Sequence, residues 1–213
     1  MEIEYRGANC VVIRDKKILI VVDPTPNVSV KEVKNPDAVI LATQEKFAPT
    51  REDKKDNREN DWPFVIDMPG EYEHKDVSVV GIPAHAHIDN DGKNATMYRV
   101  ETGGVRLAVI GHTDAPLSDD DLENLGIIDI VIVPVGGGGY TLDARDGATI
   151  VRQIAPKVAI PTHFADAHVK YEVPQESVDL FIKEMGGAYE KMNSLKVKGL
   201  PEVMTVVELA RTA

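Results

Sequence analysis

Cysteine is nearly missing from this chain: Cys10 is the one thiol among 213 residues. No intrachain disulfide can form, and a thiolate metal cluster is excluded. Long apolar runs are missing as well. No window approaches the roughly 18 uninterrupted apolar residues of a membrane span, so no membrane partner is expected. A basic surplus is also lacking, since the formal net charge is −11. Such a surface repels nucleic-acid backbones, and no nucleic-acid partner is expected. The opening MEIEYRG is acidic and strand-like, without the basic-then-apolar order of a signal peptide, and points to a cytoplasmic chain.

What is present is a soluble-type composition. Hydrophobic residues make up 43%, enough for a substantial core, and charged residues 28%. No linker and no repeat of about 20 to 50 residues interrupts the pattern, so a single domain over 1–213 is expected. CVVIRD and KKILIVVD flank Asp15-Lys16 as a hairpin, and DAVILAT (37–43) is a third strand. The run TREDKKDNREND (50–61) mixes both charge signs and predicts a solvated loop. Strands follow at 76–83, 95–101 and 105–111, the last two joined by a tight turn at Gly103-Gly104. SDDDLENLG (118–126) is a short helix with Ser118 as N-cap, Asp121 closing a capping box and Gly126 as the stop. A buried strand at 127–135, a helix at 143–155 and a strand ending in His163 come next. A helix at 174–186 with Pro174 in its first turn and a strand at 203–209 close the chain. Strands first and strand–helix units later predict one α/β domain of stacked sheets with outer helices.

Three strand ends deliver histidines. VVGIPAHAH ends in His85 and His87, AVIGHTD in His112 and Asp114, and VAIPTHF in His163. In open α/β architectures, ligands bind outside the carboxyl ends of strands. Three imidazoles and a carboxylate at one edge would suit zinc or a similar divalent ion, with His85 and His87 as alternatives for one position. His74 and His168 are expected at the surface. PVGGGGYTLDA (134–144) is either a flexible turn or an anion cradle before a helix N-terminus; it is not a Walker loop. Asp23, before Pro24, either starts a turn, the preferred reading, or supports a ligand through hydrogen bonds.

The blocks MEIEYRGANCVVI, ILIVVDP, PGEYEHKDVSVVGIP, VRLAVIGHTDAPL, IDIVIVPVGGGGYTLDA and KVAIPTHF follow one another in an order that resembles the metallo-β-lactamase-like fold. The branch it resembles is that of the small Zn-dependent hydrolases of the β-lactamase fold, similar to the ascorbate-phosphate lactonases. The resemblance runs to about residue 165, followed by a helical tail, and implies a four-layer αββα sandwich with the metal site at one edge of the two sheets. The family signature His-x-His-x-Asp-His falls on VILATQEKFAP. Thr43 and Glu45 stand at the leading histidine positions, and Phe47 and Ala48 at the aspartate and last histidine. The family's metal-bridging aspartate matches His112, and its terminal histidine matches His163. The standard two-ion centre cannot form with these residues.

One ion, zinc, manganese or nickel, held by His85 or His87, His112 and His163, or no ion at all, are the two cofactor expectations. Glu45 or Asp114 would then be the catalytic base toward an ester, lactone or phosphodiester. The competing expectation is a non-catalytic descendant, a binding or assembly module whose edge pocket holds a small anion or nothing. A nuclease is the weakest of the readings on charge. A small-molecule substrate or anion is the expected partner, with a homo-oligomer open.

Overall fold

Alternation of apolar residues builds the first sheet. The computed structural model describes residues 1–25, 28, 30–49, 62–87 and 94–212. The charged run 50–61 lies outside the described residues. Strands β1 (Glu2–Gly7), β2 (Cys10–Asp15) and β3 (Ile18–Val22) form an antiparallel meander. On β2, Val11 and Ile13 enter the main core, whereas Cys10 and Val12 join a second cluster with Val28, Ile40 and Val169. Period-two side-chain direction explains the split. Strands β4 (Val39–Leu41) and β5 (Phe64–Ile66) extend the sheet in parallel.

The second sheet begins with an antiparallel meander of β6 (Gly70–His74), β7 (Val77–His85), β8 (Asn94–Thr102) and β9 (Val105–Val109). Helix α1 (Asp119–Leu125) follows. Ser118 and Asp121 exchange the capping-box hydrogen bonds expected from the sequence. Strand β10 (Ile130–Pro134), helix α2 (Ala144–Ile154) and strand β11 (Val158–Thr162) form a parallel unit, and β10 and β11 are fully buried. Such two-sided burial produces continuous apolar runs. Helix α3 (Val178–Met185), strands β12 (Ala188–Met192) and β13 (Leu195–Lys196), and strand β14 (Thr205–Leu209) complete the chain.

The six-stranded sheet has the order β13-β1-β2-β3-β4-β5, and the eight-stranded sheet β12-β14-β11-β10-β9-β8-β7-β6. Tyr98 bridges them: its hydroxyl donates toward Ala42 O at 2.7 Å and Ile66 O at 3.0 Å. Two elements differ from expectation. The helix expected from residue 174 starts at Val178, because Ser177 caps it by accepting from Asp179 N. The tail carries strands as well as a helix, since β13 pairs with β1 and β12 with β14. The two-sheet sandwich stands, but its outer layers are unequal. Helices α1 and α2 pack on the second sheet. The second cluster on the first sheet is closed by Val28, Val30 and Val169, with Val33 of a 3₁₀ turn at Lys31–Lys34, instead of a described α-helix. Pro36 follows that turn and disfavours helix at the residue before it. Among the described residues no helix is long and apolar enough to cross a membrane.

Candidate functional site

Gly111 is what brings two distant strands into contact. Its φ is +65°, and a Cβ there would sit 2.5 Å from Thr43 Cβ. Only glycine tolerates both demands. The next residue, His112, is 2% exposed. Neither of its ring nitrogens makes a hydrogen bond of good geometry among the described residues, although the Tyr140 backbone lies close enough to act against the lowering of its pKa. Burial first, then the neighbouring His163 and Lys46, holds its pKa well below the ordinary imidazole value. His112 is therefore neutral near pH 7, the form that ligates metals.

His163 follows β11 in the left-handed region, at φ +52°. A non-glycine residue there is strained and must be held by its surroundings. Its backbone N–H donates to Ala8 O at 2.7 Å. Its ring Nδ1 lies 2.9 Å from Gln175 Oε1, an acceptor. Nδ1 must then carry the proton, which leaves the Nε2 lone pair available. Burial lowers its pKa, against the opposing Gln175 bond. The His112 and His163 rings meet edge to face with centroids 4.7 Å apart. Phe47, Tyr140 and Tyr171 surround them, Phe47 and Tyr140 each packing on His112 and Tyr140 and Tyr171 on His163.

Beside the pair lies a cavity of about 280 Å³ lined by Lys46, Phe47, Tyr140, His163, Tyr171 and Gln175, with Ala8, Thr25, Val169, Lys170 and Glu172. Lys46 Nζ donates to Tyr140 Oη at 2.6 Å and lies over the Phe47 and Tyr140 rings. Behind the first ligand motif, Asp23 is fully buried. It accepts from Thr43 N at 2.7 Å, Thr43 Oγ1 at 2.6 Å and Asn9 Nδ2 at 2.5 Å. Burial raises its pKa to about 6 even against these bonds. Asp23 thus does more than start a turn: it ties β3 to the residue that stands at the family's first histidine position.

The remaining expected site residues are placed as follows. Residues 85–87 run antiparallel to 112–114: His87 N bonds His112 O at 2.9 Å, and Asp114 N bonds His85 O at 3.0 Å. His87 is half-buried with an unpaired Nδ1, 3.8 Å from Asp114 Oδ1. His85 is exposed and opens, with Asp114, on a different hollow beside α1. Glu45 is exposed on the 3₁₀ turn Glu45–Phe47 and does not line the cavity. So His112 and His163 converge, His87 is adjacent through the backbone with the Asp114 carboxylate beside it, and Glu45 and His85 do not line the cavity. Among the described residues no three His, Cys, Asp or Glu side chains are grouped to hold an ion together. His168 is exposed, as expected, and His74 stacks on Phe64.

The glycine run is a turn. Gly137 N bonds Leu142 O, and Tyr140 N and Thr141 N reach Gly137 O. The N-terminus of α2 is already capped by the Asp143 carboxylate, which accepts from Arg145 N and Asp146 N. The run lets backbone pack closely on His163 and Pro174. Its chemical product is the placement of Tyr140, which the sequence reading did not single out. Lys46 and Gln175 were also missed. Lys46 lies inside the stretch matched to the ligand motif, the one signal that could have drawn attention to it.

With this geometry in place, the comparisons define the class. The beta-lactamase superfamily domain family matches residues 2–163, and the chain belongs to it. Among individual relatives, a metal-dependent hydrolase of Thermococcus onnurineus is 33% identical over 94 residues, 41% of each chain. Another, of Pyrococcus furiosus, is 35% identical over 95 residues, 42% of this chain and 41% of the relative. The match thus spans well under half the length of these relatives. A solved Thermotoga maritima protein of the metallo-beta-lactamase superfamily superposes with a TM-score of 0.71 at 24% identity, covering 98% of this chain and 97% of its own. The metallo-beta-lactamase fold protein YhfI of Bacillus subtilis gives 0.61 at 9% identity, covering 99% and 96%. These structures establish a shared fold.

Proposed function

We propose that the chain is a hydrolase that holds one divalent ion between His112 and His163 and cleaves a small ester, lactone or phosphodiester in the adjoining cavity. The observation that carries this reading is the pair of buried, neutral imidazoles 4.7 Å apart beside that cavity. The His112 nitrogens, buried without a hydrogen bond of good geometry, cost free energy unless something binds them. His163 has the hydrogen-bonded Nδ1 typical of a ligating imidazole. Two imidazoles supply part of a one-ion site, with no third His, Cys, Asp or Glu grouped with them among the described residues; zinc is favoured by imidazole ligation, with manganese and nickel as alternatives. His87 is the residue nearest to serving as a third ligand. A two-ion centre does not fit, because Thr43, Phe47 and Ala48 replace its ligands and the Thr43 hydroxyl is engaged by Asp23.

When bound, such an ion would make a water molecule acidic enough to act as nucleophile. The chain's own part is to hold His163 in one tautomer through Gln175 and to keep both imidazoles neutral by burial. Phe47, Tyr140 and Tyr171 shield the pair from bulk water. The relatives' names as metal-dependent hydrolases favour catalysis over a module without it. A cytoplasmic setting suits a chain whose one cysteine is free and buried.

The test is to add zinc, manganese or nickel separately to chelator-treated protein. At hundredfold saturation the melting temperature rises by about 5–10 °C. The same preparation gains activity toward a panel of activated ester, lactone and phosphodiester substrates. His163→Ala and His112→Ala lose both responses. No thermal shift with any of the three ions would reject the proposal.

A further inference from the structure

We infer that Lys46 Nζ and Tyr140 Oη form an oxyanion subsite in the cavity beside His163, so that the substrate is a small molecule carrying a phosphate or carboxylate group. The substrate statement rests on the hydrolase reading above; the subsite itself needs no metal ion.

In a chain of net charge −11, three lysines pair with carboxylates, Lys75 with Asp37, Lys191 with Glu208 and Lys196 with Glu2, whereas the exposed Lys46 is held in another way. Among the described residues the Lys46 ammonium bonds a hydroxyl and lies over two ring faces, and its charge acts at longer range on the buried Asp23 carboxyl. The two ring faces and the 2.6 Å bond fix the ammonium at the cavity wall.

Donor and acceptor counting then points to an anion. The ammonium is a pure donor and gives one hydrogen to Tyr140 Oη. Tyr140 accepts there and keeps its own hydroxyl hydrogen to donate. Two ammonium hydrogens and one phenol hydrogen therefore remain to be donated at the cavity wall. A doubly hydrogen-bonded oxyanion meets that demand, and charge-assisted bonds of this kind are about twice as strong as neutral ones. Lys170 adds positive charge and Glu172 negative charge, and both are exposed. The rings of Tyr140, Tyr171 and Phe47 supply apolar wall. The volume of about 280 Å³ suits a molecule at the small end of ligand size. An anion here would also offset the repulsion between Lys46 and an ion at His112 and His163.

The experiment titrates chelator-treated full-length protein with inorganic phosphate and, separately, with benzoate, followed by calorimetry. Saturable binding of either is expected, and the arm that binds tells phosphate from carboxylate chemistry. Lys46→Met, which keeps the aliphatic stem, weakens that binding by about tenfold to a hundredfold, the range for one charge-assisted hydrogen bond. Tyr140→Phe weakens it by a smaller factor and serves as the readout if Lys46→Met does not fold. Absence of saturable binding in both arms, or equal affinity in the wild type and the folded variants, overturns the subsite. Because the protein is metal-free, anion binding without later ion uptake would remove the metal reading and leave the subsite standing.

Discussion

Asp23 couples protonation to folding. Its pKa rises from 3.8 to about 6 on burial. A raised acid holds its proton more tightly in the folded state, so its contribution is full below about pH 4 and is lost as the pH climbs through about 6. The span corresponds to ~3 kcal/mol. Asp23→Asn removes this dependence. Denaturant unfolding of both proteins at about pH 5 and about pH 7 should show the stability difference between them changing with pH; a constant difference would contradict it. His112 has the opposite sign. Its lowered pKa makes it a stabilising neutral group above about pH 6.5, and that advantage is lost as the pH falls through the folded-state value. The cost of His112→Gln in metal-free protein should therefore shrink between about pH 7 and about pH 5. At this scale the sequence displays His112 and His163, because each follows an apolar run. It does not display Lys46, Tyr140 or Gln175, whose roles arise from contacts across 94 positions in the first case and 12 in the last.

Among elements, the turns and caps are where sequence and structure agree most directly. The Ser118–Asp121 box is local chemistry and forms as expected. Ser118→Ala should cost about 1 kcal/mol, measurable by urea unfolding. The start of α3 was misplaced because Pro174 and Ser177 both signal a helix entry, and the Ser177 cap decided it. Strands β12 and β13 are short, and β12 is largely exposed, so no apolar alternation marks them. Gly111 tests the junction of the two sheets. Gly111→Ala combines positive φ with a clash against Thr43 and should destabilise by at least about 1–3 kcal/mol. It should also displace His112 and reduce ion affinity. An unchanged melting temperature would show that the junction yields easily.

The whole molecule is a pair of sheets whose shared core fixes where the strand ends meet. Tyr98 reports on that packing. Tyr98→Phe leaves the Ala42 and Ile66 carbonyls without their hydroxyl partner and should cost about 1–3 kcal/mol. The family was legible from the order of the blocks along the chain, and the match over residues 2–163 bears it out. The site was legible only in part, because side-chain direction decides convergence: His85 and Asp114 lie beside the same strand ends yet line another hollow. The most direct measurement is elemental analysis of chelator-treated protein dialysed against zinc, alongside His112→Ala and His163→Ala. A single equivalent in the wild type and none in either variant is the predicted result. Zinc retained equally by all three proteins, or by none, would contradict an ion held between these two imidazoles.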